Sequence, residues 1–138
     1  MLRNVQLGKE LVISVSNKIG VLADISKILA DHGLNILAVA GYAEVNLPDA
    51  ARIMVTCDDN LRAQDALRKS GYSNIKEREV VMVDVENKVG ALKMITGKLS
   101  AEGIDIKYIY GTTCLGGCPS RVVFTTSDNE KAIVVFKK

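Results

Sequence analysis

The chain has 138 residues, 48% hydrophobic and 25% charged, the make-up of a water-soluble globular fold; no apolar run approaches the roughly twenty residues of a bilayer-spanning helix. A net charge of +2, carried by scattered lysines, is too weak a field to hold a nucleic acid backbone. Met1-Leu2-Arg3-Asn4-Val5 runs into Lys9-Glu10 without the apolar core or cleavage site of a secretory leader, so the chain reads as cytoplasmic, with neither membrane nor nucleic acid as partner.

The first β-branched run, Leu11-Val12-Ile13-Ser14-Val15, predicts a strand that stops at the turn signal Asn17-Lys18-Ile19-Gly20. Beyond it Leu22, Ile25 and Leu29 place one apolar stripe on a helix, and Gly33 supplies its C-cap. A second strand follows from Asn35 to Tyr42 and a third from Ala51 to Cys57. Asp58-Asp59-Asn60 is an N-cap cluster for a helix over Leu61 to Lys69; Gly71 ends it, and Ile75 to Glu79 reads as a fourth strand. Neither Gly nor Pro separates Ile75 from Val85, so this strand runs almost directly into the next, Val80 to Val85.

From Asn87 onward the pattern returns at a constant shift of about seventy residues. Asn17-Lys18-Ile19-Gly20-Val21-Leu22 recurs as Asn87-Lys88-Val89-Gly90-Ala91-Leu92, and His32-Gly33-Leu34-Asn35-Ile36 as Glu102-Gly103-Ile104-Asp105-Ile106. The helical stripe becomes Leu92, Ile95 and Leu99, and strands are expected at Asp105 to Tyr110 and Arg121 to Thr126. A softer helix, Glu130 to Phe136, follows the cap cluster Ser127-Asp128-Asn129. The sequence therefore predicts two α+β modules, residues 1–79 and 80–138, each with an antiparallel sheet and helices on one face. With Phe136-Lys137-Lys138 closing the sequence, the second module is expected to lack its last strand, and strand exchange or dimer contacts are expected to cover the open edge.

The turn between first strand and helix carries the most specific chemistry. A helix N-terminus presents unpaired N–H groups and partial positive charge, and Gly20 or Gly90 admits a carboxylate close to that backbone. Asn17 or Asn87 offers a donor and an acceptor to the same ligand, with Asn35 or Asp105 opening the neighbouring strand. The bland readings are a turn Asn, a backbone-driven Gly, and a Leu stripe that is simply core.

Strand, Asn-x-x-Gly-x-Leu, helix and Gly-Ile/Leu-Asn/Asp-Ile, present in both copies, resemble the ACT domain, a small amino-acid-sensing module of metabolic enzymes. The resemblance covers nearly the whole chain and implies a stand-alone tandem protein of ferredoxin-like βαββαβ modules with no attached catalytic domain. It implies side-by-side pairing, hence a homodimer, and an amino acid bound at an interface beside the turn. Carried over, the ligand segment falls on Asn17, Lys18, Ile19, Gly20, Val21 and Leu22 with Asn35 and Ile36. In the second copy it falls on Asn87, Lys88, Val89, Gly90, Ala91 and Leu92 with Asp105 and Ile106. Two features depart from common members: Lys18-Ile19-Gly20 and Lys88-Val89-Gly90 stand where Arg-Pro-Gly is frequent, and Val15 and Val85 stand where serine-sensing members carry His. Asn35 becomes Asp105 in the shorter copy, so the first site is expected to be the more complete.

The function read from these residues is non-enzymatic: a regulatory sensor that binds an amino acid, needs no cofactor, and signals to a partner such as a regulated metabolic enzyme. No set of nucleophile, base and orienting group is visible. The alternative is a subunit that uses the same surfaces only for protein contacts. A minor alternative is a thiol or metal sensor built on Cys114 and Cys118 in Cys114-Leu115-Gly116-Gly117-Cys118-Pro119, although two thiolates supply only half a structural zinc shell. His32, the sole histidine, is explained by the end of the first helix. Tyr108 and Tyr110 share a strand face, but the inner strands lack the aromatic pattern of an RNA-recognition motif, and the first turn lacks the Cys-x-x-Cys of a metal chaperone.

Overall fold

Each β-branched run is a strand and each apolar stripe a helix in the computed structural model, which describes residues 1–114 and 116–138, apart from the side chain of Pro48. Leu115, inside the two-cysteine loop singled out above, lies outside the described residues. The elements are β1 (Leu2–Val15), α1 (Val21–Asp31), β2 (Ile36–Glu44), β3 (Leu47–Cys57), α2 (Asn60–Lys69), β4 (Ile75–Val85), α3 (Ala91–Ala101), β5 (Ile106–Thr112), β6 (Ser120–Thr126) and α4 (Asn129–Lys137). As the lack of a breaker between Ile75 and Val85 implied, the last strand of the first copy and the first strand of the second are one strand, β4.

Two compact units result. The first is Lys9–Arg78, the second Met1–Gly8 together with Glu79–Lys138. In the first, the strand order is β2-β3-β1-β4, with the later part of β1 and the start of β4. Leu11 stands opposite Val55 and Ile13 opposite Ile53 in the antiparallel register of β1 and β3. Those side chains meet Ile25 and Leu29 of α1, Leu67 of α2, and Ile75 of β4 in one core. Each such burial contributes about 1.5–3 kcal/mol.

The second unit repeats the plan with β1-β4-β6-β5, using the early part of β1 and the remainder of β4. Val81 pairs with Phe124 and Val83 with Val122, and these pack on Ile95, Leu99, Ala132 and Phe136. Phe124 and Phe136 meet edge to face, centroids 6.2 Å apart. Among the described residues no strand follows α4, and the place beside β4 in this unit is taken by Leu2–Gly8 of the same chain. Val5 enters the core beside Val81 and Val83, and the Glu86 N–H donates to Met1 O at 2.8 Å. This corrects two expectations. The open edge is covered from within the chain rather than by strand exchange or dimer contacts, and the first eight residues sit with the second module, not inside a 1–79 unit.

Local chemistry sets the helix ends. Gly33 (φ 70) and Gly103 (φ 68) follow the last helical residues in the left-handed region. The Leu34 N–H reaches Leu29 O at 2.9 Å and the Ile104 N–H reaches Leu99 O at 3.0 Å, the double-bonded glycine stop that satisfies terminal carbonyls. Asp59 and Asp128 cap α2 and α4, accepting from the N–H groups of Arg62 and Lys131. His32 Nδ1 lies 2.8 Å from Ile28 O in the last turn of α1, the structural role anticipated for it.

Candidate functional site

Gly20 and Gly90 occupy the N-caps of α1 and α3, both with φ 89, a left-handed backbone that costs an L-residue about 1–2 kcal/mol. A Cβ added at either would meet nothing within 4 Å, so conformation and not crowding requires glycine. No side chain caps either helix. In the first copy the Val21 N–H donates to Lys18 O at 3.2 Å and the Asp24 N–H to Gly20 O at 2.9 Å; the N–H groups of Leu22 and Ala23 between them take no acceptor among the described residues. The second copy repeats this with Ala91 to Lys88 O at 3.2 Å and Met94 to Gly90 O at 3.0 Å. Both turns thus keep the positive helix end available to an anion.

A cavity of about 510 Å³ lies at the first turn, lined by Lys18, Ile19, Gly20, Val21 and Asp24, with Ser14 to Ser16 and the Gly71–Asn74 loop. Tyr72 reaches across it, its hydroxyl donating to Asp24 Oδ2 at 2.5 Å. Burial, with the Asp24 hydrogen bond and negative charge added, pushes the Tyr72 hydroxyl up to about 12. Asp24 is thus a carboxyl acceptor in the first helical turn. Lys18 has no ion-pair partner among the described residues, so one cavity presents an uncommitted ammonium, a helix N-terminus and a carboxylate.

A second cavity, about 490 Å³, sits at the other turn, lined by Val85, Asn87, Lys88, Ala91 and Leu92 and by the end of β5 from Ile109 onward through Thr113, with Ser120 and Val122. It has hydroxyls and an apolar wall but no carboxylate. Its lysine is already engaged: Lys88 Nζ lies 3.2 Å from Glu86 Oε2, and the Met1 ammonium lies 3.5 Å from Glu86 Oε1. These two cations hold the Glu86 carboxyl below its usual range, Lys88 the more strongly.

The residues expected at the sites are therefore divided. Lys18, Ile19, Gly20 and Val21 line the first cavity, whereas Asn17 and Leu22 do not; in the second, Asn87, Lys88, Ala91 and Leu92 line the wall, and Val89 and Gly90 do not. Ile19 and Val89 project fully into solvent, and Leu22 and Leu92 are about half exposed. Asn35 and Ile36 are not brought to the first turn. The eleven residues of α1 span about 16 Å, and β2 begins at their far end. There the Asn35 N–H donates to Asp58 Oδ1 at 3.1 Å, and Ile36 pairs with Cys57. Asp105 and Ile106 are displaced in the same way: the Asp105 N–H donates to Ser127 Oγ, and its carboxylate pairs with Lys107 at 3.0 Å.

Asp24, Tyr72, Thr112, Thr113 and Ser120, all of which line one or other of the two cavities, are not singled out by the sequence alone. An antiparallel strand returning from the far end of the helix brings its last residues back to the turn, which is the signal that would have pointed to Thr112 and Thr113. Tyr110, one of the tyrosines noted for sharing a strand face, does line the second cavity and stacks with Tyr108, centroids 6.1 Å apart. Among the described residues no group of three metal-ligating side chains comes together.

The family profile described as the ACT domain pair matches residues 7–138. The chain belongs to the ACT domain pair family. Protein BT0572 from Bacteroides thetaiotaomicron is similar in structure, with TM-score 0.85 and 29% identity over 98% of this chain and 90% of that one. The ligand-free regulatory subunit of aspartate kinase from Thermus thermophilus shares the fold of this ACT domain pair at TM-score 0.67 and 14% identity, covering 99% of this chain and 96% of that chain. The corresponding regulatory subunit from Thermus flavus gives TM-score 0.65 and 16% identity, over 99% and 94% of the two chains. No curated protein matches the sequence.

Proposed function

We propose that this ACT domain pair is a non-enzymatic regulatory protein whose first unit binds a free amino acid at the Gly20 turn. The carrying observation is one cavity lined by Lys18, the N-terminus of α1 and Asp24. The ligand's carboxylate sits at the helix end with Lys18, and its ammonium takes Asp24, whose other neighbour is the Tyr72 hydroxyl. Family membership and the shared fold of aspartate kinase regulatory subunits support the regulatory role. The exposed Ile19 and Leu22 beside the cavity are the surface through which ligand state reaches a second copy or a regulated metabolic enzyme in the cytoplasm.

Thermal denaturation with each amino acid at about a hundred times its dissociation constant tests this: about 2.7 kcal/mol of added stability raises the midpoint by roughly 9 °C for a chain of this size. Calorimetry with Asp24→Asn then expects at least a tenfold loss of affinity for the amino acid, and little change for the matching 2-oxo acid, which carries no ammonium. A chain that shifts with no amino acid refutes the reading. The subunit alternative, protein contacts without ligand, would then stand on the fully exposed Ile19 and Val89 at the two turn tips.

A further inference from the structure

The β5–β6 connection of the second unit has features that ligand binding at the first turn does not use. Cys114 and Cys118 flank a glycine pair, and their Cα atoms lie 5.8 Å apart, inside the span a disulfide bridges. Gly116 (φ 97) and Gly117 (φ 91) both adopt the left-handed backbone, which lets so short a loop turn back and present one cysteine to the other. Cys118 is exposed and Cys114 half-buried. The third cysteine contrasts with both: Cys57 is buried in the first core, and burial pushes its thiol up to about 11. The equivalent hairpin of the first unit, between β2 and β3, passes through Val45 and Asn46 and carries no cysteine.

The loop also adjoins the second cavity. Thr112 and Thr113 lead into Cys114, Ser120 follows Pro119, and all three line that cavity. In the β5–β6 ladder Thr112 stands opposite Arg121, so the cysteine loop connects the two cavity-lining strand ends just where their pairing stops.

We propose that Cys114 and Cys118 form a reversible thiol-modification site, oxidised by a low-molecular-weight disulfide, whose state sets the mobility of the wall of the second cavity. The exposed Cys118 thiolate attacks one sulfur of the small disulfide, forming a mixed disulfide and releasing one small thiolate. Cys114, deprotonated in turn, attacks the Cys118 sulfur, closes the internal disulfide and releases the second small thiolate. The two protein thiols lose two electrons and two protons, the small disulfide becomes two thiols, and an excess of small thiol reverses the exchange. Closing the loop restricts the strand ends that carry Thr112, Thr113 and Ser120. The consequence for any ligand of the second cavity rests on the regulatory reading above; the modification itself does not.

The reduced full chain is incubated in glutathione buffers of graded thiol to disulfide ratio, then alkylated and weighed, with hydrogen exchange followed in parallel. Expected is an internal disulfide, seen as the loss of two hydrogens and of two alkylation sites, with Cys57 labelled only after denaturation. Amides of the segments 108–113 and 120–122 should exchange roughly tenfold more slowly in the oxidised chain, with those of Lys9–Arg78 unchanged. Cys114→Ser and Cys118→Ser should each stop at a glutathione adduct or an unmodified chain and show no slowing. Either of two results overturns the proposal: no internal disulfide at any ratio, or an internal disulfide that leaves exchange at 108–113 and 120–122 unaltered. An amino-acid panel run in both states separates the two readings: a chain that ignores every amino acid but shows the exchange change refutes only the ligand proposal.

Discussion

Val5→Ala tests the assignment of the first eight residues to the second unit. Val5 is 9% exposed and packs against Val81 and Val83. Truncation to Ala removes two buried carbons at about 0.8 kcal/mol each, and incomplete collapse of the space raises the cost to about 2 kcal/mol. That corresponds to roughly a thirtyfold increase in the open population of the unit. Hydrogen exchange under native conditions should show the loss in α3, β5, β6 and α4, with little change in α1, β2, β3 and α2. Ile75→Val, in the core of the first unit, supplies the mirror experiment at about 0.5–1.5 kcal/mol. Replacing exposed Arg3 in the same strand should change stability by less than about 0.5 kcal/mol. If Val5→Ala loosened Lys9–Arg78 and left Glu79–Lys138 intact, the assignment of β1 would be wrong.

Asp84 accepts two bonds from Arg121, at 2.8 and 3.0 Å, which hold its carboxyl below the usual range. A depressed carboxyl adds stability above its unfolded value of about 4 that is lost as pH falls through the folded value, so Asp84→Asn should flatten the acid limb of second-unit unfolding followed by circular dichroism. The Tyr72 hydroxyl, raised to about 12, should ionise above the ordinary tyrosine range in an ultraviolet titration, and Asp24→Asn should bring it down. Its contribution to stability is fully present below about pH 10 and is lost as pH rises through the folded value, so Asp24→Asn should flatten the alkaline limb of unfolding. Gly20→Ala and Gly90→Ala should each cost about 1–2 kcal/mol in urea unfolding, because both glycines hold a left-handed backbone.

What could be read without coordinates was local or periodic. The Leu22, Ile25, Leu29 stripe and its copy announce helices because buried faces recur every three or four residues, although only Ile25 and Leu29 are fully buried and Leu22 is 47% exposed. The cap clusters and Gly33 and Gly103 act within one turn, so their residue types suffice to place them. The early part of β1 escaped notice because Leu2 to Gly8 alternates poorly and its neighbour in the fold is some seventy-five residues away. Proximity in the repeated phrase was also misleading. Asn35 follows the helix in sequence, yet a helix carries the chain away from the turn, and only the far end of the next strand returns. Tyr72 comes from a loop whose sequence has no periodic signal, and its meeting with Asp24 is a tertiary event.

Because Val5 and its strand belong with Glu79–Lys138, the order of synthesis and the order of burial run opposite to each other. Leu2–Gly8 leave the ribosome before Lys9–Arg78, yet their core partners Val81 and Val83 are made after the whole of that first unit. Lys9–Arg78 has all its strands once residue 78 has emerged, so it is free to fold while Leu2–Gly8 waits as an unpaired ribbon. During that interval the ribbon is open to chaperones and to neighbouring nascent chains, so the early part of β1 is a place where production of this protein is easily disturbed.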